Sequence, residues 1–242
     1  MISVCMATYN GEKFIKQQID SILAQLNDED ELIISDDGSR DHTVEIIANY
    51  VDPRIKLFYN STRHGVIPNF ENALRQSQGD YIFLADQDDI WHPDKVKICV
   101  EELQKGNALV LSDAIIIDEN NNTISPSFFA ERNTKMGFGH NFIKSSYMGC
   151  VMAFRRELLK IFLPFPKYIA MHDLWIGYIV ELVKLPHCFL ERKLHYYRRH
   201  GNNVTGVAAL SVWNRILYRL CTLACVCVRL PGIYRYLRGA EK

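Results

Sequence analysis

Short apolar runs alternate with amphipathic segments over residues 1–105 of the chain. The apolar runs predict strands at residues 2–7, 32–34, 55–59 and 81–85. After the first of them, side chains fall on one face at helical spacing, at Phe14, Ile15, Gln18, Ile19, Ile22 and Leu23. Four strand–helix repeats of this kind predict a Rossmann-like, mostly parallel sheet with helices on both faces, so we expect an α/β fold.

The second half of the chain has a less regular pattern. A long apolar strand is predicted at residues 108–118, followed by a hairpin turn back to Thr123. Residues 125–147 show little periodicity and predict a loop of the kind that covers a site or binds an acceptor. A strand at residues 151–154 follows, and then a helix with Asp173 in its first turn.

Polar side chains follow three of the predicted strands, at the point where each strand ends. In open parallel sheets, ligands bind outside the carboxyl ends of the strands, so these clusters are expected to converge on one edge. The clusters are Thr8-Tyr9-Asn10, Asp36-Asp37 and Asp86-Gln87-Asp88-Asp89.

The acidic tetrad, residues 86–89, places three carboxylates within four positions. Such close like charges raise one another's pKa values unless a cation lies among them. Hard oxygen ligands of this kind suit Mg²⁺ or Mn²⁺, and such ions usually also contact substrate phosphates. A solvated acidic turn is the alternative interpretation, because Asp is common in turns.

Four stretches, in this order and spacing, resemble the family two glycosyltransferases, which have a GT-A fold and use nucleotide-diphosphate sugars. The stretches are Ala7-Thr8-Tyr9-Asn10-Gly11, Ser35-Asp36-Asp37-Gly38-Ser39, the acidic tetrad, and His172-Asp173-Leu174-Trp175. The resemblance covers about residues 1–205. It implies a nucleotide-sugar-binding half at residues 1–105 and an acceptor-binding half at residues 106–205.

The resemblance also implies roles for individual residues on the donor side. The first nucleotide-contacting loop corresponds to Thr8, Tyr9 and Glu12. Asp37, with Asp36 beside it, resembles the carboxylate that hydrogen-bonds the pyrimidine base.

The family's D-x-D motif corresponds to Asp86, which contacts the ribose, and to Asp88, which contacts the metal ion. Asp89 is an adjacent candidate ligand, and His200 is an open candidate for the same metal shell. Asp173 resembles the catalytic base.

The chemistry of sugar transfer agrees with these roles. The donor leaves as a diphosphate, and a divalent Mn or Mg cation would neutralise its growing negative charge. The attacking hydroxyl must lose a proton, and Asp173 is the later acid in an apolar setting, between His172 and Leu174-Trp175. A single displacement of this kind inverts the anomeric configuration. The alternative role for Asp173 is structural, in which its carboxylate stabilises the positive N-terminal end of the helix dipole.

The identities expected for the sugar donor and the acceptor are implied only by the resemblance. The chain lacks the Gln-x-x-Arg-Trp motif of processive synthases, which favours addition of one sugar. Its motifs are similar to those of bacterial rhamnosyltransferases of surface-polysaccharide assembly, which implies dTDP-rhamnose as donor. A galactosyl or glucosyl donor on UDP stays open. The usual acceptors in this branch are lipid-linked saccharides.

Composition narrows the class of protein. The 28 basic residues balance the 28 acidic ones, so no overall charge favours binding to nucleic acid. The seven cysteines lack disulfide or zinc spacing and are expected to be reduced, which indicates the cytoplasm. We expect no signal peptide, and no uninterrupted apolar run of about 18 residues predicts a membrane-spanning helix.

Residues 206–242 form a tail of different character. Apolar side chains there are bordered by arginines and aromatic residues, such as Arg219, Tyr234 and Arg235. This pattern favours an amphipathic helix at a membrane surface, and hence a peripheral location on the cytoplasmic membrane face. Packing on the domain or on a second subunit is the alternative.

Two other functions fit parts of the pattern. A Mg-dependent phosphohydrolase of the haloacid-dehalogenase type also has D-x-D after a strand, but on its first strand, whereas here it follows the fourth. A non-catalytic sugar-nucleotide-binding or membrane scaffold protein stays open. A dinucleotide oxidoreductase is excluded, because no G-x-G-x-x-G follows the first strand.

Overall fold

Nine strands and nine α-helices are present in the part of the chain that the structure, a computed structural model, describes: residues 1–61, 63–201 and 212–240. The strands are β1 (Ile2–Thr8), β2 (Glu31–Asp36), β3 (Ile55–Tyr59), β4 (Tyr81–Asp86), β5 (Ile90–Trp91), β6 (Leu109–Ile117), β7 (Thr123–Ser125), β8 (Met152–Arg155) and β9 (His187–Arg198). The α-helices are α1 (Ile15–Leu23), α2 (Thr43–Ala48), α3 (Val66–Gln76), α4 (Lys95–Gln104), α5 (Phe128–Arg132), α6 (Phe138–Ile143), α7 (Leu159–Phe162), α8 (His172–Val183) and α9 (Val212–Ala240).

All nine strands form one sheet, with the order β3-β2-β1-β4-β8-β6-β9-β5 and with β7 paired to β6. The predicted strands β1 to β4 are parallel to one another. β8 then joins β4 in the antiparallel direction, and β9 runs parallel to β6. The expected α/β class is confirmed, and its continuous parallel part is formed by β1 to β4 in the first half of the chain.

Alternation of side chains along the central strands builds a core on each face of the sheet. In β1, Val4 and Met6 point to the face covered by α1 and α4, whereas Cys5 points to the opposite face. The opposite face packs against α3 and α8, where Trp175 is fully buried. This two-sided burial explains why β1, β2 and β4 read as continuous apolar runs.

The structure contains elements that differ from the sequence expectation, most of them in the second half of the chain. Residues 125–147, expected to be a loop, contain the short helices α5 and α6. The two-residue strand β5 and the twelve-residue strand β9 were not predicted. In β9 the exposed stretch Glu191-Arg192-Lys193 interrupts the apolar pattern, and its pairing with β6 shifts register near Asp113.

The expected tail helix is present as α9, and one side of it packs on the domain. Val226 and Ile233 are buried in the core beside α8. The Thr222 hydroxyl accepts a hydrogen bond from the backbone N–H of Ala170 at 2.9 Å. The predicted boundary between residues 205 and 206 lies outside the described residues.

By length and composition, α9 also contains a segment sufficient to cross a membrane. The segment Ile216–Gly239 is 24 residues long, and its most apolar 18-residue stretch has a mean hydropathy of 1.6 and is 17% buried. The expectation that no such segment exists was therefore wrong on these criteria. It required an uninterrupted apolar run, whereas Arg219 and Arg229 interrupt the run without removing its average hydropathy.

Candidate active site

The carboxyl ends of β1, β2 and β4 lie side by side and open into one large cleft. Thr8 pairs with Asp36 across β1 and β2, and Ala7 pairs with Asp86 across β1 and β4. The cleft has a volume of about 1430 Å³. Its lining includes six residues singled out from the sequence, namely Thr8, Tyr9, Asp37, Asp86, Asp88 and Asp173. His200 also lines the cleft.

The acidic tetrad brings three carboxylates together. Asp86, Asp88 and Asp89 each present an oxygen within 4.8 Å of the others. Burial, reinforced by Asp89, Asp88 and Asp173, raises the pKa of Asp86 well above its usual value. Burial also raises the pKa of Asp89 to about 8, and Asp88 adds to the effect. Carboxylates with these raised pKa values fit a divalent cation, which would restore their ionised forms.

Asp89 differs from its two neighbours because it is fully buried and does not line the cleft. Its Oδ2 lies 2.7 Å from His195 Nε2, and its Oδ1 accepts the backbone N–H of Arg198 at 2.8 Å. Asp89 therefore anchors the tetrad to β9 while keeping an oxygen close to those of Asp86 and Asp88.

A buried lysine continues this network. Lys95 Nζ lies 2.9 Å from His195 Nδ1 and donates to the carbonyl oxygen of Cys150 at 2.8 Å. Burial lowers the pKa of Lys95 to about 8 and the pKa of His195 well below its usual value. Because an ammonium only donates, we assign the neutral His195 tautomer with its proton on Nε2, facing Asp89.

Arg198 joins the tetrad to two other segments and is fully buried. Its Nε donates to the carbonyl oxygen of Asp88 at 2.7 Å. Its Nη1 donates to Asn121 Oδ1 at 2.6 Å, and its Nη2 donates to Gln17 Oε1 at 2.9 Å. The guanidinium also lies 4.5 Å from the centre of the Phe14 ring. Arg198 thus fixes the tetrad against α1 and the β6–β7 turn.

His200, just after β9, contacts the tetrad through a side chain. Its Nε2 lies 2.7 Å from Asp88 Oδ2, and its ring centre lies 5.1 Å from that of Phe14. His200 therefore lies beside the carboxylate that the sequence pattern assigns to the metal. Its candidacy as a metal ligand stays a prediction.

On the donor side, Gln87 links the tetrad to the loop after β1. Its Oε1 accepts the backbone N–H of Tyr9 and its Nε2 donates to the Tyr9 carbonyl, each at 2.9 Å. Gly11 permits this close approach, because a Cβ there would lie 2.2 Å from Gln87 Oε1. Gln87 is the unspecified position of the D-x-D motif, and in the structure it sets the position of the Tyr9 backbone.

The remaining donor-side candidates differ in their placement. Asp37 lines the cleft and also holds the following loop, accepting Gly65 N–H at 2.7 Å and Asn60 Nδ2 at 2.7 Å. Asp36 is buried, does not line the cleft, and accepts the Ser39 hydroxyl and the N–H groups of Gly38 and Ser39.

Glu12 also lies away from the cleft lining, because its carboxylate accepts the backbone N–H of His42 before α2 at 2.9 Å. Asp36 and Glu12 therefore shape the loops, while Thr8, Tyr9 and Asp37 face the space that a nucleotide would occupy.

Asp173 lies in the first turn of α8 and faces the cleft, as its sequence position predicts. Burial raises its pKa to about 6, although backbone N–H groups of Leu174 and Gly149 oppose that shift. The adjacent His172 is packed in the core on Phe70, with ring centres 4.3 Å apart. A carboxylate with a pKa near neutrality, across one cleft from the tetrad, is suited to general-base chemistry.

Three residues of this site were missed from the sequence: Lys95, His195 and Arg198. Lys95 and Arg198 are charged residues, and their local sequence does not distinguish them from residues that face the solvent. Their burial follows from the pairing of β9 with β5 and β6. A lysine and an arginine that are fully buried are rare, so burial itself is the signal that marks them.

Comparison with known proteins identifies relatives of the chain. The sequence model of the family "Glycosyl transferase family 2" matches residues 3–162. The dTDP-rhamnosyl transferase RfbG of Shigella flexneri is 29% identical over 221 residues, covering 83% of this chain and 73% of that protein.

Another relative is the UDP-Glc:alpha-D-GlcNAc-diphosphoundecaprenol beta-1,3-glucosyltransferase WfgD of Escherichia coli. It is 31% identical over 185 residues, covering 75% of this chain and 70% of that protein. Among solved structures, S. aureus TarS 1-349 in complex with UDP-GlcNAc superposes with a TM-score of 0.72 at 20% identity. That match covers 94% of this chain and 66% of the TarS chain. The chain thus spans about two thirds to three quarters of these proteins.

Proposed function

The chain belongs to glycosyl transferase family 2 and is a glycosyltransferase, and we propose that it moves one sugar from a nucleotide-diphosphate sugar to an acceptor hydroxyl. The proposed reaction inverts the configuration at the anomeric carbon. The observation that supports this most directly is the placement of Asp173 and the acidic tetrad on one cleft. The expected family and GT-A fold are both confirmed. A base and an acidic cluster for a metal would then face the same bound donor.

The donor is proposed to lie between the loop after β1 and the acidic tetrad. Thr8 and Tyr9 contact the nucleotide, and Asp37 accepts a hydrogen bond from the base. Asp86 faces the ribose. Because Asp37 is already fixed by Gly65 and Asn60, its carboxylate is oriented before the nucleotide arrives, which lowers the entropic cost of binding.

A divalent Mg or Mn cation is proposed as the cofactor, held by Asp88 with Asp86 and Asp89 as neighbouring oxygen donors. Bound there, it would supply positive charge to the departing diphosphate. The chain contributes the positioning: Arg198 fixes the Asp88 backbone, and His200 contacts its carboxylate.

Asp173 is proposed as the catalytic base. Its oxygen takes the proton from the acceptor hydroxyl as that hydroxyl attacks the anomeric carbon, and the carbon–oxygen bond to the diphosphate breaks on the opposite side. A base on the far side from the leaving group is what a single inverting displacement requires. With a pKa of about 6, Asp173 is mostly ionised at neutral pH and ready to accept that proton.

The donor and acceptor are proposed from the relatives. RfbG carries the name of a dTDP-rhamnosyl transferase, and WfgD that of a transferase acting on a diphosphoundecaprenol-linked sugar. We therefore propose a dTDP- or UDP-sugar donor, with dTDP-rhamnose as the first to test, and a lipid-linked saccharide acceptor in polysaccharide assembly. The partly exposed helix α9 supports attachment to the cytoplasmic membrane face.

A thermal-shift screen tests the donor site. The full chain is heated with UDP, dTDP, GDP and their sugars, each with Mn²⁺, with Mg²⁺ or with EDTA. We expect a UDP or dTDP compound to raise the Tm by several degrees only with metal, because a ligand stabilises the state it binds. Absence of any metal-dependent shift contradicts the proposal. The variant Asp88→Asn is the matched control and should lose the shift.

A further inference from the structure

The part of the cleft wall that α6 and α9 form differs in its chemistry from the acidic tetrad. The cleft volume of about 1430 Å³ exceeds the roughly 300–1,000 Å³ of most small-molecule sites. Part of its wall is formed by the end of α6 and the start of α9, at Ile143, Lys144, Ile216 and Arg219. We call these four residues the α6–α9 site. It combines two cations with apolar side chains and contains no carboxylate.

The two cations of the α6–α9 site are held in different ways. Arg219 donates from Nη1 to the carbonyl oxygen of Ile143, which joins α9 to the end of α6. Lys144 is exposed and belongs to none of the ion pairs found within residues 1–61, 63–201 and 212–240. The Lys144 ammonium is therefore available to an anion from outside the chain.

An exposed apolar surface continues outward from this site. Ile143 is 76% exposed, Trp213 80% and Leu217 58%. Trp213 and Leu217 are four residues apart, so they share one side of α9. Large apolar side chains exposed next to one another mark an interaction site. Cations at its base and apolar side chains above them complement a molecule with an anionic head and an apolar chain.

We propose that the α6–α9 site binds the diphosphate of a polyprenyl-diphosphate saccharide, the acceptor class of the proposed function on which this inference rests. The isoprenoid chain lies over Ile143, Trp213 and Leu217, and the saccharide extends along the cleft towards Asp173. The charges set this direction, because the acidic tetrad repels the diphosphate while Lys144 and Arg219 attract it. Lys144 is thus a specificity-determining residue for charged acceptors.

The test uses farnesyl diphosphate, with farnesol as the uncharged analogue, titrated into the full chain by calorimetry. The buffer contains EDTA and no nucleotide, so that the acidic end of the cleft offers nothing to a diphosphate. We expect farnesyl diphosphate to bind at least tenfold more tightly than farnesol. Lys144→Glu should lower the affinity for farnesyl diphosphate by about tenfold or more, since it replaces an attractive charge with a repulsive one.

Two controls separate this role from a structural one. Lys144→Arg keeps the charge and should retain binding, and Lys97→Glu changes an exposed lysine on α4, outside the cleft, and should leave the affinity unchanged. Equal affinity of wild type and Lys144→Glu for farnesyl diphosphate, or no binding to either, overturns the proposal.

The phosphate of a membrane lipid headgroup is the alternative partner for Lys144. If Lys144→Glu reduces sedimentation with phosphatidylglycerol vesicles but leaves farnesyl diphosphate binding unchanged, the site is a membrane contact and the proposal is wrong. Because the titration contains neither nucleotide nor metal, its failure is distinguishable from failure of the donor screen.

Discussion

The guanidinium of Arg198 donates from Nε to the carbonyl oxygen of Asp88 across 2.7 Å, although 110 residues separate the two in sequence. The same side chain binds the β6–β7 turn through Asn121 and α1 through Gln17. One residue therefore fixes the loop that carries the proposed metal ligand to the β6–β7 turn and to α1. Removing the guanidinium leaves the Asp88 carbonyl oxygen and the side-chain oxygens of Asn121 and Gln17 without this donor.

Arg198→Lys is expected to weaken both folding and metal binding. A lysine keeps the charge but supplies one point of contact in place of the planar guanidinium. We expect about 1–3 kcal/mol less stability, because a lysine buried in place of the guanidinium would lose most of its hydrogen bonds. We also expect about tenfold weaker Mn²⁺ affinity, measured by calorimetry in the presence of the donor nucleotide. Unchanged Mn²⁺ affinity would contradict the positioning role.

The neighbouring Arg199 provides a matched control for that variant. It forms a partly exposed ion pair with Glu131 and makes no contact with the tetrad in the described part of the chain. Arg199→Lys should change stability by less than about 1 kcal/mol, because partly exposed ion pairs contribute little. An equal loss of metal affinity in both variants would show that general destabilisation is the cause.

The donor half of the site could be predicted from the sequence because its geometry is local. Each of β1, β2 and β4 is a continuous apolar run that ends in polar residues, and parallel pairing alone brings those ends together. The position of Asp173 in the first turn of an apolar helix was predictable for a similar reason, because a few neighbouring residues indicate it. Its role as the base stays a prediction.

The support beneath the tetrad could not be predicted, because it depends on pairing between distant segments. His195 and Arg198 reach Asp89 only after β9 pairs with β6 through a shifted register and with β5 at Ile90. No local pattern encodes that register, and a buried Lys95 is indistinguishable in sequence from a solvated one. Likewise, Asp36 and Asp37 are adjacent in sequence, but the backbone turn directs only Asp37 to the cleft.

Gly11→Ala is expected to weaken donor binding through Gln87. The new Cβ would lie 2.2 Å from Gln87 Oε1 and displace the amide that holds the Tyr9 backbone. We expect the KM for the donor to rise about tenfold with little change in the acceptor KM, in steady-state transfer assays. The double variant, Gly11→Ala with Gln87→Ala, removes the clash. Its donor KM should therefore be close to that of Gln87→Ala alone.

Gly139→Ala is the control for that pair of variants, because a Cβ at Gly139 meets no atom within 4 Å. It should leave both KM values unchanged. If Gly11→Ala behaves in the same way, the contact between Gln87 and the Tyr9 loop does not determine donor binding.

The two sides of α9 are expected to respond differently to the same substitution. Val226 is fully buried against the domain, whereas Val228 is 84% exposed. Val226→Ala should lower the free energy of unfolding by about 2 kcal/mol through lost apolar burial and a small cavity. Val228→Ala should change it by less than about 0.5 kcal/mol. Chemical denaturation measures both, and equal effects would show that α9 does not dock on the domain as described.

Asp173 gives the reaction an expected pH dependence. Its pKa is raised to about 6 by burial, and only the ionised form can take the acceptor proton. Transfer by the wild type should therefore rise about tenfold per pH unit below 6 and level off above it, at saturating donor and metal. Asp173→Asn should bind the donor normally in the thermal-shift assay yet lose transfer by at least about a thousandfold.

The same raised pKa predicts how Asp173→Asn alters stability. A carboxyl group with a higher pKa in the folded state than in the unfolded state binds more protons when folded, so it destabilises the fold as pH rises from about 4 to 6. Above that window the penalty is complete, and an amide, which does not ionise, removes it. The Tm of Asp173→Asn should therefore exceed that of wild type at pH 8 and approach it at pH 4. A variant that is less stable than wild type at pH 8 would show that the carboxylate is a structural helix-end group, and retained transfer would show that another residue is the base.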